Sequence, residues 1–146
     1  MLFRSEPFSL KYLEIGNENS GTEYEACFNR IRKAVLERYP QIIIVSNTRS
    51  ETIKTDIVDD HYYNMPEFFA ENIDIYDNYS RKNPNIFVGE FAVNQTYEGQ
   101  LRAAISEAMF MVGFERNQDV VKLCSDRKST RLNSSHIEES RMPSSA

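Results

Sequence analysis

A chain of 146 residues, 40% hydrophobic and 27% charged with a net charge of −5, has the size and composition of one ordinary globular domain. Its Lys and Arg residues gather into no basic face, which argues against a nucleic-acid partner, and no apolar run approaches the roughly 18 residues a membrane span needs. The opening MLFRSEPF has no charged, apolar and small-residue regions in the order of a signal peptide, so secretion and cytoplasmic residence both stay open, as does the oligomeric state.

In chain order, the first strand signal is Leu10–Gly16, an apolar alternation that stops at Asn17-Glu18-Asn19 and a Ser-Gly turn. Thr22–Tyr39 reads as an amphipathic helix with Tyr24, Cys27, Phe28, Ile31, Val35 and Tyr39 on one stripe, and Pro40 ends it. Gln41–Asn47, QIIIVSN, is apolar without alternation, the pattern of a parallel strand buried on both faces. Ile57–Tyr63 is the third strand signal. Pro66–Lys82 carries Phe69, Ile73, Tyr76 and Tyr79 at helical spacing. Asn85–Asn94, NIFVGEFAVN, is the fourth strand. Tyr97–Gly113 is a helix with Leu101, Ala104, Ile105, Ala108 and Val112 as its packing face and Gly113 as its C-cap. A fifth strand starts in Asp119–Cys124, DVVKLC. Cys27 and Cys124 have no CxxC spacing and read as two small buried hydrophobes rather than a disulfide or a metal site.

Strands alternating with helices imply an α/β fold with parallel strands joined by crossovers. A doubly wound sheet and a (β/α)8 barrel are both built this way. A whole barrel takes about 250 residues, so on the barrel reading this chain is a piece of one.

The character changes after Ser125. DRKSTRLNSSHIEESRMPSSA is polar and Ser-rich, with no sustained period. Asp126–His136 back-translates into the constant start of a common sequencing adapter, and Ser140–Ala146 back-translates in frame into its constant end. Ile137–Glu139 fills the gap where a short index belongs. Residues 126–146 are therefore expected to be a non-native disordered tail, His136 carries no weight, and residues 1–125 hold the information.

On a parallel α/β scaffold, chemistry sits at the C-terminal ends of the strands. Those ends offer Asn17, Glu18 and Asn19, then Ser46 and Asn47, then Asp59 to Tyr63, then Glu90 and Asn94. Glu90 interrupts an otherwise apolar run, where a carboxylate is costly unless paired or hydrogen-bonded. Its bland alternative is a structural carboxylate tied to an Arg or Tyr. Glu18 alone is equally consistent with a solvated turn. Two carboxylates of different burial, and so of different pKa, suit glycoside hydrolysis: one protonates the leaving oxygen, the other attacks the anomeric carbon or activates water. His61 and Tyr63 are two apart on a strand and share a face. His61 also has a plain reading as a satisfied structural histidine. Glu18, Asp60, His61 and Glu90 form a rival donor set for a divalent metal. A non-catalytic carbohydrate-binding relic is a further alternative.

LKYLEIGNEN, IIIVSN, VDDHYY, NIFVGEFAVN and AAISEAMFMVGFERNQDVVKL together closely resemble family 51 glycoside hydrolases, the α-L-arabinofuranosidases, over Pro7–Leu123. The resemblance implies strands 4 to 7 and the start of strand 8 of a retaining (β/α)8 TIM barrel. It implies an exo-acting arabinofuranosidase that takes a carbohydrate substrate and uses no metal and no cofactor; clan relatives acting on other sugars share the two glutamates. By resemblance Glu18 is the acid/base, Asn17 the contact to the sugar 2-hydroxyl, and Glu90 the nucleophile. His61 and Tyr63 correspond to residues lining the sugar subsite. Strands 1 to 3, the rest of strand 8 and a β-sandwich domain have no counterpart here, so the piece itself is expected to be inactive.

Overall fold

The computed structural model describes residues 9–94 and 100–126. The described residues hold five strands and three helices, which alternate except between β2 and β3: β1 (Tyr12–Ile15), α1 (Thr22–Arg38), β2 (Ile43–Ser46), β3 (Ile57–Asn64), α2 (Pro66–Glu71), β4 (Asn85–Val93), α3 (Leu101–Arg116) and β5 (Val121–Asp126). The strand order is β1-β2-β3-β4-β5. The chain divides into two compact units between Asp59 and Asp60. Among the described residues no helix is long and apolar enough to cross a membrane. The expected tail lies outside the described residues from 127 onwards, as do residues 95–99.

In the first unit β1 pairs in parallel with β2, Tyr12 opposite Ile43 through Ile15 opposite Ser46, and β2 pairs in parallel with the start of β3. Ile42, Ile44, Val45 and Ser46 are all buried, as the unbroken apolar run of QIIIVSN implies. The core gathers Ile15, Phe28, Ile42, Ile44 and Ile53, with Leu13, Tyr24, Val35 and Leu36 against it. Helix α1 has no internal Gly or Pro, carries Glu23 and Glu25 in its first turn, and has Arg38 in its last, each charge matched to the helix dipole. Its expected stripe is buried only in part. Phe28 is fully covered, whereas Ile31, Tyr39 and Cys27 are exposed.

In the second unit β4 pairs in parallel with β5. The core is aromatic. Phe110 of α3 meets the rings of Tyr62, Phe68, Phe69, Phe91 and Phe114 at centroid separations of 5.4, 6.2, 5.2, 6.1 and 4.7 Å. Such contacts add about 0.5–1.5 kcal/mol per pair beyond area burial.

Three sequence expectations are corrected here. The helix expected over Pro66–Lys82 stops at Glu71, where the backbone N–H and Nδ2 of Asn72 both donate to Phe68 O at 3.0 and 2.7 Å. Asn and Asp side chains compete with the helical ladder, and the run from Asn72 to Asn78 alternates them with β-branched and aromatic residues. The segment turns instead, and still delivers Tyr76 to the core. Second, α3 packs through Ala103, Ser106, Glu107, Phe110, Gly113 and Phe114, while Leu101, Ile105 and Val112 of the expected face are exposed. The helix is apolar on both sides, and the two large Phe rings select the buried one. Third, both cysteines are exposed, not buried.

An Arg81 cluster ties the segment after α2 to the turn after α3. Arg81 bonds Asp119 through Nε at 2.9 Å and Asn117 Oδ1 at 2.9 Å, and donates to the carbonyls of Tyr76, Asp77 and Tyr79. The Asn117 amide and the Arg116 guanidinium beside Asp77 hold its carboxyl below the usual range, and Arg81 does the same for Asp119. These depressed values contribute stability above the ordinary carboxylate pKa and lose it as pH falls through the folded one.

Gly113 is not a C-cap but an interior residue of α3, which continues to Arg116. A Cβ there would lie 2.0 Å from the backbone oxygen of Ile73. Gly113→Ala should therefore destabilise the full-length protein by about 1–3 kcal/mol, although Ala is the better helix former by about 1 kcal/mol. Thermal unfolding of the variant checks this; a rise in Tm would contradict it.

Candidate active site

The first candidate group follows β1. Gly16 turns the chain at φ +96°, where an added Cβ would fall 2.6 Å from Tyr24 Cε2. The turn is held from three sides. The Asn17 N–H donates to Asn19 Oδ1 at 3.0 Å, Asn47 Nδ2 beyond β2 donates to Asn19 O at 3.1 Å, and the Tyr24 hydroxyl of α1 donates to Ile15 O at 2.7 Å. Burial raises the Tyr24 pKa, which keeps that hydroxyl a donor. Glu18 sits at the tip with φ +52°, the one non-glycine residue at positive φ among the described residues. Left-handed backbone costs a residue with a Cβ about 1–2 kcal/mol. Strain of this kind concentrates at sites where a side chain must be aimed. Asn17 and Glu18 are both exposed.

The second candidate group lies on β3 and β4 in the second unit. Along β3, Asp60 and Tyr62 face one way and His61 and Tyr63 the other. On the core side the Tyr76 hydroxyl donates to Asp60 Oδ2 at 2.8 Å and lies 2.9 Å from the Tyr62 hydroxyl. Burial, reinforced by the Asp60 charge, holds the Tyr76 hydroxyl protonated far above the ordinary tyrosine range. Asp60 is thus engaged on the face opposite His61, which removes it from the four-residue metal set. On the other face the Tyr63 hydroxyl donates to the Glu90 carboxylate. His61, Tyr63 and Glu90 are half-buried to exposed.

The direction of Glu90 has a specific cause. Ile86 and Val88 belong to the aromatic core, and so do Phe91 and Val93. Unbroken alternation would have carried the core face from Val88 to Glu90. Between Val88 and Phe91 the register against β5 shifts instead: Val88 lies opposite Cys124 and Phe91 opposite Asp126, three steps against two. One extra residue in β4, a β-bulge at Gly89–Glu90, flips the pleat. Glu90 leaves the core side, and Phe91 takes the place beside Phe110 and Phe114.

Sequence reasoning missed two groups that fix this end. The N–H of Asn94 donates to Asn64 O at 2.8 Å, and the N–H of Val93 donates to Glu107 Oε1 at 2.6 Å. Glu107 is buried, 6% exposed, and a lone acid inside AAISEAMFMVGF was the signal for it.

The α-L-arabinofuranosidase 1 domain family matches residues 3–81, more than half of the chain. The chain belongs to this family. Its similarity to an extracellular exo-α-L-arabinofuranosidase of Streptomyces chartreusis is 40% identity over 134 residues, covering 82% of the chain and 16% of that relative. Arabidopsis thaliana α-L-arabinofuranosidase 1 is 36% identical over 129 residues, covering 84% of the chain and 19% of the relative. The structure of an arabinose-bound α-L-arabinofuranosidase, MgGH51, superposes with a TM-score of 0.68 at 28% identity, over 84% of this chain and 23% of that one. The chain is thus a partial (β/α)8 barrel of the GH51 arabinofuranosidase family and spans no more than a fifth of the length of these two curated relatives.

The left-handed backbone at Glu18 gives a direct test. Glu18→Gly in the full-length protein should be more stable than Glu18→Ala by about 1 kcal/mol, because only glycine takes this conformation freely. Equal stability of the two variants would remove the strain.

Proposed function

We propose that the full-length protein is a retaining, exo-acting α-L-arabinofuranosidase. It would remove terminal non-reducing α-L-arabinofuranosyl residues from arabinose-containing polysaccharides and oligosaccharides. The observation that carries this reading is the Tyr63 hydroxyl on the Glu90 carboxylate, at a bulge that turns Glu90 out of an apolar strand, in a chain of this family. A donor on the carboxylate fixes its orientation, which an attacking nucleophile requires.

In this scheme a Glu90 oxygen attacks the anomeric carbon while the bond to the leaving oxygen breaks and Glu18 gives that oxygen its proton. The products are an arabinosyl ester on Glu90 and an ionised Glu18. Glu18 then takes a proton from water as the water oxygen attacks the same carbon, and the ester breaks to restore Glu90. Two inversions retain configuration, which requires the carboxyl groups to stand about 5–5.5 Å apart in the intact site. Asn17, His61 and Tyr63 would contact the sugar. Two carboxylates and water complete the chemistry without metal or cofactor. Residues 1–125 would be the portion of the catalytic domain, and the tail from Asp126 a translated adapter.

In the full-length enzyme, Glu90→Ala should cut kcat/KM on an aryl α-L-arabinofuranoside by about 10⁴-fold or more. Tyr63→Phe should lower kcat/KM by about 10- to 100-fold, since the hydroxyl that holds the Glu90 carboxylate is lost. Wild-type-like turnover by Glu90→Ala, or faster hydrolysis of aryl xylosides or glucosides by the wild type, would overturn the proposal.

A further inference from the structure

We infer that Glu107 is a positioning residue for Glu90, acting through the end of β4. This rests on the arabinofuranosidase reading above and deepens it.

The bulge that frees Glu90 from the core shifts the register against β5, which resumes at Phe91 opposite Asp126. The end of β4 beyond it has further anchors. Immediately past the bulge, Phe91 packs against both Phe110 and Phe114. At the strand end two successive N–H groups are held from outside β5: Val93 by the Glu107 carboxylate at 2.6 Å, and Asn94 by the Asn64 carbonyl at 2.8 Å. The second contact joins the end of β4 to the end of β3, the strand that carries Tyr63. Glu90 and Tyr63 thus form one side of a frame whose far corners are Asn64, Asn94, Val93 and Glu107.

Glu107 is the unexpected member. It occupies the buried face of α3 between Ala103 and Phe110, where an alanine or leucine would pack without desolvating a charge. A buried carboxylate is a poor device for stability, because desolvation offsets much of what its contacts contribute. Its Oε1 instead reaches the Val93 N–H, three residues from Glu90. Moving the end of β4 away from α3 would swing the Glu90 carboxylate off the Tyr63 hydroxyl and off the anomeric carbon.

The test uses the full-length enzyme with an aryl α-L-arabinofuranoside, and normalises kcat to sites titrated by the first-turnover burst. Glu107→Asp withdraws the carboxylate by one methylene, Glu107→Ala removes it, and Glu107→Gln keeps an acceptor oxygen at the original reach. The expected order of kcat per titrated site is Gln above Asp and Ala, with Asp about 10- to 100-fold below wild type and KM nearly unchanged. If Ala fails to fold, the Asp and Gln pair still decides. A lowered Tm with normal kcat per site would reduce Glu107 to a structural acid and overturn the inference. A wild-type enzyme that leaves arabinofuranosides intact would overturn the underlying reading instead.

Discussion

A carboxylate in an apolar strand has to be turned out of the core, and the extra residue at Gly89–Glu90 does this for Glu90. Leaving an acid among Ile86, Val88, Phe110 and Phe114 would carry a desolvation penalty of several kcal/mol. A bulge disrupts the ladder locally, and one ordinary hydrogen bond contributes only about 1 kcal/mol net. The bulge wins that comparison, and it does two things at once. It aims Glu90 at Tyr63 and keeps the next large side chain, Phe91, in the core. The same one-residue shift therefore serves packing and, under the proposed function, chemistry.

The surrounding framework follows from holding a bulged strand still. Phe110 binds five aromatic rings into one cluster beneath β3 and β4. Gly113 lets the turn containing Ile73 run against α3 at backbone distance, which a side chain would prevent. Away from the strand ends that carry Tyr63 and Glu90, the Arg81 cluster clamps the turns before β4 and β5. In the first unit the analogous problem is solved differently. A loop anchored by Asn19, Asn47 and Tyr24 forces Glu18 into a left-handed backbone instead of bending a strand.

Much of this was legible in the residues. The continuous apolar run of QIIIVSN marked a strand buried on both faces, and strand-helix alternation marked the parallel α/β class. The likeness of GNEN and GEFAVN to the family's motifs pointed to the two glutamates. Three things were not legible. Period-3.6 spacing in Pro66–Lys82 suggested one long helix, but spacing is blind to the Asn and Asp side chains that break the backbone ladder after Glu71. In α3 two apolar faces competed, and only the volume of Phe110 and Phe114 decides between them. The bulge had a signal that alternation counting overlooks: a glycine inside a strand pattern. Glu107 was hidden by the same error of face, since the chosen stripe placed it outside.

The central claim of the proposed function is that Glu90 presents its carboxylate to the anomeric carbon. Its most direct measurement is peptide mass spectrometry of the full-length enzyme after reaction with an activated arabinofuranoside whose glycosyl-enzyme hydrolyses slowly. One arabinosyl group per chain on Glu90 is the expected result. A label on any other residue, or continued turnover with no covalent adduct on Glu90, would contradict it.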